Sequence, residues 1–316
     1  MKMLRRIICF CAAVAVIVLT GSCQKEVISW FSREADVSFK VSTAEVMTKA
    51  IADGSNVDIL YWEIYGDVNN AQKPLAEGVV KDDDANGEFT LDLTLIIVQT
   101  YTFVFWAQVD REEGKEHYDV SDLRKVYIKT YADEKANDES RAAFFAVKEL
   151  HVSGPIDEKI ILRRPFSQLN IATTSYDTSL NLTSGLKVNT SEITVDGVAN
   201  AFNTLTGKGE GRLKVLFSPA PTPHGEDDAV KKMLDVNGVK YHWLGMNYLI
   251  VNGDKDDVNV DILFDTTHGP VDLYVSNVPV KENFRTNIVG DLLTTDARFE
   301  VIVDENFDKN DIVVNK

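Results

Sequence analysis

Cysteine is scarce in this 316-residue chain: three residues, at positions 9, 11 and 23, and none beyond. Cys9 and Cys11 fall inside an apolar run near the start. That leaves no cysteine pair for an internal disulfide, no thiolate metal cluster and no cysteine nucleophile in the body of the chain. Histidine is also rare, and His117, His151, His224, His242 and His268 are too dispersed for any pair to have metal-ligand spacing. The chain has no Gly-x-Ser-x-Gly elbow, phosphate loop or dinucleotide fingerprint. No convergent catalytic set can be named, so the chain reads as a non-enzyme with no cofactor and no bound metal. Basic charge is in deficit, with 33 Lys and Arg against 49 Asp and Glu, a net charge of −16. Such acidity argues against nucleic acid as a partner and against adsorption on anionic lipid.

Only one long hydrophobic run is present, Ile7 to Leu19, behind the basic head Lys2, Arg5 and Arg6. Thirteen residues rise only about 20 Å as a helix, too short for a hydrocarbon core of about 30 Å. The run ends in Thr20-Gly21-Ser22-Cys23, the order of a cleaved signal peptide. Residues 1–22 are therefore expected to be removed, and Cys23 to carry a diacylglycerol on its thiol and an acyl chain such as palmitate on its new amine. The alternative is ordinary secretion with a free Cys23. Removal of the leader takes three basic residues from 33, leaving 30 against 49 acidic and a net charge of −19. The remaining length suggests two domains behind a tether at 23–35.

From Asp36 onward the dominant signal is period-two alternation, which places every second side chain on one sheet face. Val37, Phe39 and Val41 alternate with polar residues, as do Leu60, Trp62 and Ile64, then Phe89, Leu91 and Leu93. The same pattern returns at 258–264, at 271–275 and at Phe299, Val301 and Val303. Tyr101 to Val109 is apolar on both faces, as a central covered strand would be. Asp196-Gly197, Asn237-Gly238 and Asn252-Gly253 supply the positive φ that tight hairpin turns use. Only 132–146 and 225–234 read as helical. These signals predict an all-β protein with few short helices, in two antiparallel β-sandwich domains at 36–170 and 171–316. Asp82-Asp83-Asp84-Ala85-Asn86-Gly87 matches the first half of a calcium loop, but Leu93 stands where the bidentate Glu belongs, so a solvated turn is the reading. Trp62, Trp106 and Trp243 sit in strand-like runs and are expected in the core rather than on a sugar platform.

Several stretches in order resemble the fimbrillin family, the type V pilins of Bacteroidales. They are VSFKVSTAEVMTKAIADGSNVDILYWEIYGD near the start, IILRRPFSQLNIAT at 160–173, ITVDGVANAFNTLTG at 193–207 and VPVKENFRTNIVGDLLTTDARFEVIVD at 278–304. The resemblance implies two transthyretin-like β-sandwich domains and export to the outer membrane surface as a lipid-anchored precursor. It further implies that a trypsin-like protease cuts in the loop after the first strand, so that the lost strand opens a groove for a C-terminal strand of another subunit. The first strand is then 36–46 with its stripe Val37, Phe39 and Val41, and the cleavage loop is 47–55 with the scissile bond between Lys49 and Ala50. The donor region is 298–316, with Phe299, Val301 and Val303. The implied partners are other pilin subunits in a head-to-tail polymer, the processing protease and the outer membrane. The implied locations are the outer membrane surface and a fimbrium, with a role in adhesion. The alternative is an uncleaved monomeric surface lipoprotein that binds glycan or another ligand.

Overall fold

The computed structural model describes residues 33–43, 56–82, 87–130, 134–174, 186–223, 230–253, 255–294, 297–304 and 312–315. Cys23, Lys49, Ala50 and most of the calcium-loop-like turn lie outside the described residues. The described residues form twenty-one strands in five sheets, and the only helix among them is a single 3-10 turn, Glu139–Arg141. The all-β expectation holds.

The first sheet has three strands in the order β4 (Glu88–Ile96), β1 (Glu34–Ser42), β9 (Ile156–Ile161). The second runs β3 (Ala76–Lys81), β2 (Ile59–Tyr65), β5 (Gln99–Gln108), β8 (Ala143–Val152). A small third sheet orders β13 (Lys208–Glu210), β12 (Ala201–Asn203), β7 (Lys125–Ile128) and β6 (Tyr118–Asp119). The fourth, six-stranded, runs β20 (Arg298–Asp304), β19 (Arg285–Asp291), β10 (Phe166–Thr173), β16 (Val239–Ile250), β15 (Val230–Val236), β21 (Ile312–Asn315). The fifth orders β14 (Leu213–Pro221), β11 (Val188–Val198), β17 (Lys255–Thr266) and β18 (Val271–Lys281). Pairing is antiparallel except for β1 with β9 and β10 with β19.

Two hydrophobic cores lie within one compact unit, Glu34–Lys316. In the first, β5 is covered on both faces, as its unbroken apolar run implies. Phe103 and Phe105 meet Phe39 of β1 on one side, and Trp106 meets Tyr118 and Phe202 on the other. The second core fills the space between the fourth and fifth sheets, with Leu169, Ile171 and Ile288 facing Ile193, Val195, Val260 and Ile262. Trp106 and Trp243 are fully buried, as expected of core residues, whereas Trp62, on the inner strand β2 between β3 and β5, is only half-buried.

Three local expectations are corrected. The stretch 132–146 is not a helix: its described part holds the one 3-10 turn and enters strand β8 at Ala143. The helix formers Ala142, Ala143 and Ala146 are overruled because Phe144 and Phe145 gain burial by pairing with β5. The described part of 225–234 is likewise strand, β15, whose hairpin with β16 fixes it. Asn237-Gly238 makes that hairpin turn with positive φ at both residues, 54° and 83°. Gly197 also has positive φ, 108°, but lies inside β11 at a register shift between Asp196 and Val198. There the glycine forms a bulge rather than a turn.

Trp243 closes the first core with its indole N–H donating to the Gly245 carbonyl at 3.0 Å. Trp243→Ala is expected to cost about 3–5 kcal/mol in urea denaturation, and Trp243→Phe distinctly less. Equal, small losses for both would show that the site does not close the core.

Candidate functional site

The site is built around β1. Its inward residues Ala35, Val37, Phe39 and Val41 are 6%, 1%, 0% and 1% exposed, while Asp36 and Lys40 face solvent. Period-two alternation thus puts the stripe Val37, Phe39 and Val41 wholly inside. The Phe39 ring lies 4.7 Å from that of Phe103 and 5.7 Å, edge-on, from that of Phe105. Burial of each stripe residue stabilises the fold by roughly 1.5–3 kcal/mol.

On the backbone, β1 is the middle strand. It pairs antiparallel with β4 from Glu34↔Ile96 to Ser42↔Glu88, and parallel with β9 from Val37↔Ile156 to Ser42↔Ile161. Pairing continues to the last described residues before the loop, where Leu162 N–H donates to Ser42 O at 2.8 Å and Thr43 N–H to Gly87 O at 3.2 Å. The outward face holds less. Lys40 and Asp157 are 3.5 Å apart with both side chains 69% exposed, an ion pair worth at most about 1 kcal/mol. Beside it a shallow groove of about 610 Å³ is lined by Asp36, Ser38, Asp92, Thr94 and Asp157.

The second group of expected residues sits on β20. This strand pairs with β19 over its whole length, Arg285↔Asp304 to Asp291↔Arg298, and forms an edge of the fourth sheet. Phe299 and Val303 are 40% and 39% exposed, and Val301 is partly buried against the second core. The expected stripe therefore exists, but half of it is left in solvent. β21 takes the opposite edge of the same sheet, against β15. Lys49 and Ala50 follow β1 in sequence and lie outside the described residues.

A buried charge cluster went unseen in the sequence. His117 Nε2 lies 2.7 Å from Arg111 Nη1, 2.9 Å from Ser140 Oγ and 3.4 Å from Asp138 Oδ2. Arg141 pairs with Glu134, both nearly fully buried. The same segment bridges the cores: Asn137 N–H donates to Met246 O at 3.0 Å, and its side chain donates to Ser191 Oγ at 3.1 Å. Burial by itself would raise the pKa of Asp138. Hydrogen bonds from His117 and Ser140 outweigh it and hold the carboxyl well below its ordinary range. Glu134 is lowered in the same way, burial being overcome by His117 and Arg141. The one sequence signal was Asp138-Glu139-Ser140, an Asx turn in which Ser140 N–H donates to Asp138 at 2.9 Å, hidden inside the presumed helix. Among the described residues no three His, Cys, Asp or Glu are placed to hold a metal ion.

The chain matches the family of unknown function DUF6562 over residues 31–315 and belongs to it. No curated protein matches it. Among solved structures, it is similar to a DUF1812 protein of Bacteroides thetaiotaomicron at 13% identity and a TM-score of 0.48, over 90% of this chain and 98% of that one. The C-terminally truncated tip fimbrial protein Mfa3 of Porphyromonas gingivalis is 11% identical with a TM-score of 0.48, over 86% and 99% of the two chains. A fimbrial assembly protein of Parabacteroides distasonis is 12% identical with a TM-score of 0.45, over 90% and 100%.

Because Asp138 and Glu134 have lowered pKa values in the folded state, they stabilise it above the unfolded carboxylate range. That contribution is lost as pH falls through the folded values. The melting temperature of the protein is expected to fall more steeply below about pH 4 than that of an Asp138→Asn variant. Arg141→Met should cost about 3–5 kcal/mol at pH 7 by stranding Glu134. Parallel acid profiles for the two proteins would remove Asp138 from the account.

Proposed function

We propose that the chain is a structural subunit of a cell-surface fibre of the fimbrial kind, contributing to adhesion. It is made as a lipoprotein precursor lipidated at Cys23, cut between Lys49 and Ala50, and polymerised by strand exchange. One observation carries this reading: the first strand of the described residues is the middle strand of its sheet, with a fully buried stripe, and Lys49 follows it in sequence. A middle strand placed at the start of the chain is removable by a single cut. Its loss uncovers Phe103 and Phe105 and frees backbone donors and acceptors on β4 and β9 at once. Such a slot is costly until another strand refills it, which gives an exchange its driving force. Val37, Phe39 and Val41 thereby hold the subunit folded until a partner arrives, and the lipid leaves with them. The donor is a strand of the region 298–316 of another subunit, with Phe299, Val301 and Val303 as its stripe. Donor and acceptor are different surfaces, so the contact is head-to-tail and builds a filament.

Limited digestion of the full-length protein with a trypsin-like protease tests this. A new N-terminus AIADG and a ladder of oligomers on a gel are expected. A native protein that keeps its Lys49–Ala50 bond and forms no oligomers would instead be a monomeric surface lipoprotein. Val301→Asp with Val303→Asp should leave cleavage intact and abolish the ladder; continued polymerisation would take this strand out of the mechanism.

A further inference from the structure

The motif Asp-x-x-Phe-x-Val occurs twice in the chain, at 36–41 (DVSFKV) on β1 and at 296–301 (DARFEV) leading into β20. Laid over each other in the same direction, Phe299 falls on Phe39 and Val301 on Val41. From this we infer that β20 of a second copy enters the β1 slot in the direction β1 itself runs, with Phe299 in the Phe39 pocket, and fits the slot better than β1 does. The inference rests on the strand-exchange reading above and specifies its partner and register.

Inside the slot, Ala297, Phe299, Val301 and Val303 replace Val37, Phe39, Val41 and Thr43. The aromatic between Phe103 and Phe105 is retained. Thr43 is 3% exposed, and its hydroxyl oxygen is buried without a hydrogen-bond partner. Val303 has the same shape and no polar atom to strand. Ser42 Oγ is likewise buried without a partner, and Ile302 stands at that position. The one loss is Val37 to Ala297, which leaves two methyl groups of room.

On the outward face the charges decide the register. Ser38 is opposite Asp92 on β4 and Asp157 on β9, beneath the groove of about 610 Å³ that Asp36, Asp92 and Asp157 line. Arg298 takes the Ser38 position, setting a guanidinium between two carboxylates where β1 offers only a hydroxyl. One row along, Lys40 is opposite Lys159, a like-charge pair across parallel strands. Glu300 takes the Lys40 position and turns that row into an opposite-charge pair. At positions 38, 42 and 43 β1 is therefore the poorer occupant, while at position 40 the gain against Lys159 is set against loss of the exposed Lys40–Asp157 ion pair. In its own subunit β20 is half-exposed and paired on one edge only, whereas the slot offers it two. β1 is a placeholder that a better strand displaces.

Cysteine pairs test direction and register together, since all three native cysteines precede Lys49 and leave with the cut segment. Full-length protein carrying Asp92→Cys with Arg298→Cys is cut with trypsin-like protease, allowed to assemble, oxidised and run on a non-reducing gel. A covalent ladder is expected. With Phe299 in the same pocket but the strand reversed, residue 300 would lie opposite Asp92. A ladder from Asp92→Cys with Glu300→Cys instead would overturn the direction. Wild-type polymers with neither cross-link would overturn the donor register while leaving strand exchange standing. Absence of any wild-type polymer after cleavage would overturn both. As an independent readout, Lys159→Glu should reduce ladder yield without lowering the unassembled melting temperature, since it also relieves Lys40, and Glu300→Lys in the same chain should restore the yield. A double variant no better than Lys159→Glu alone would remove the charge pairing.

Discussion

The seating of Phe39 between Phe103 and Phe105 is the contact on which the first sheet depends. β4 and β9 belong to that sheet only through β1, which is hydrogen-bonded to both. Adjacent strands lie about 4.8 Å apart, so taking out a middle strand leaves a gap of about 10 Å. No backbone hydrogen bond spans that distance, and two neighbours held on their other faces by a packed core cannot simply close on each other. The slot admits a strand or stays open. A peripheral strand with the same stripe would lack this property, since its loss exposes one edge and leaves the sheet joined.

A second constraint keeps the rest of the molecule in register when the first sheet is disturbed. Segment 134–141 is fastened by its backbone to Ser218 on β14 and to Met246 on β16, and by Asn137 to Ser191 on β11. Its charges are balanced among Arg111, Arg141, Glu134 and Asp138 around His117. A buried ion cluster of this kind adds little net stability over an apolar core, but breaking any one member strands another. That makes it a specific fastening between the two cores rather than a source of stability. In the proposed strand exchange such a fastening would keep the second core organised without help from β1.

Much of the fold was legible in the alternation of side chains. Val37, Phe39 and Val41 read as one buried face, and Tyr101 to Val109 read as a strand covered on both sides; both readings hold because burial is local to the strand. The stretch 132–146 failed because alanines and charged residues look helical, while the decision for its end lay with β5, some forty residues earlier in the chain. Gly197 failed because positive φ serves a bulge as well as a turn. The central place of β1 was out of reach, since its neighbour β9 comes from 156–161 and no local pattern reports a parallel pairing over that distance. The charge rows Asp92–Ser38–Asp157 and Thr90–Lys40–Lys159 follow from that register and were invisible without it. So was the cluster around His117, assembled from three separated stretches.

In the proposed strand exchange, the contrast between β1 and β20 would give the assembly a direction. Were the two strands equally suited to the slot, exchange would merely trade one pairing for an equivalent one, and released β1 would compete with the donor at every step. Two differences break that symmetry. Were the chain cut as proposed, β1 would no longer be held at high effective concentration by its covalent link, whereas β20 would remain joined to a folded subunit. The slot itself also discriminates: its rim places carboxylates beside Ser38 and an ammonium beside Lys40, and its floor buries the hydroxyls of Ser42 and Thr43 without partners. A strand that fills its own sheet imperfectly is a poor choice for stability and would suit a subunit that exchanges its first strand. The stripe Val37, Phe39 and Val41 is good enough to fold the precursor, and the mismatches beside it make the strand replaceable.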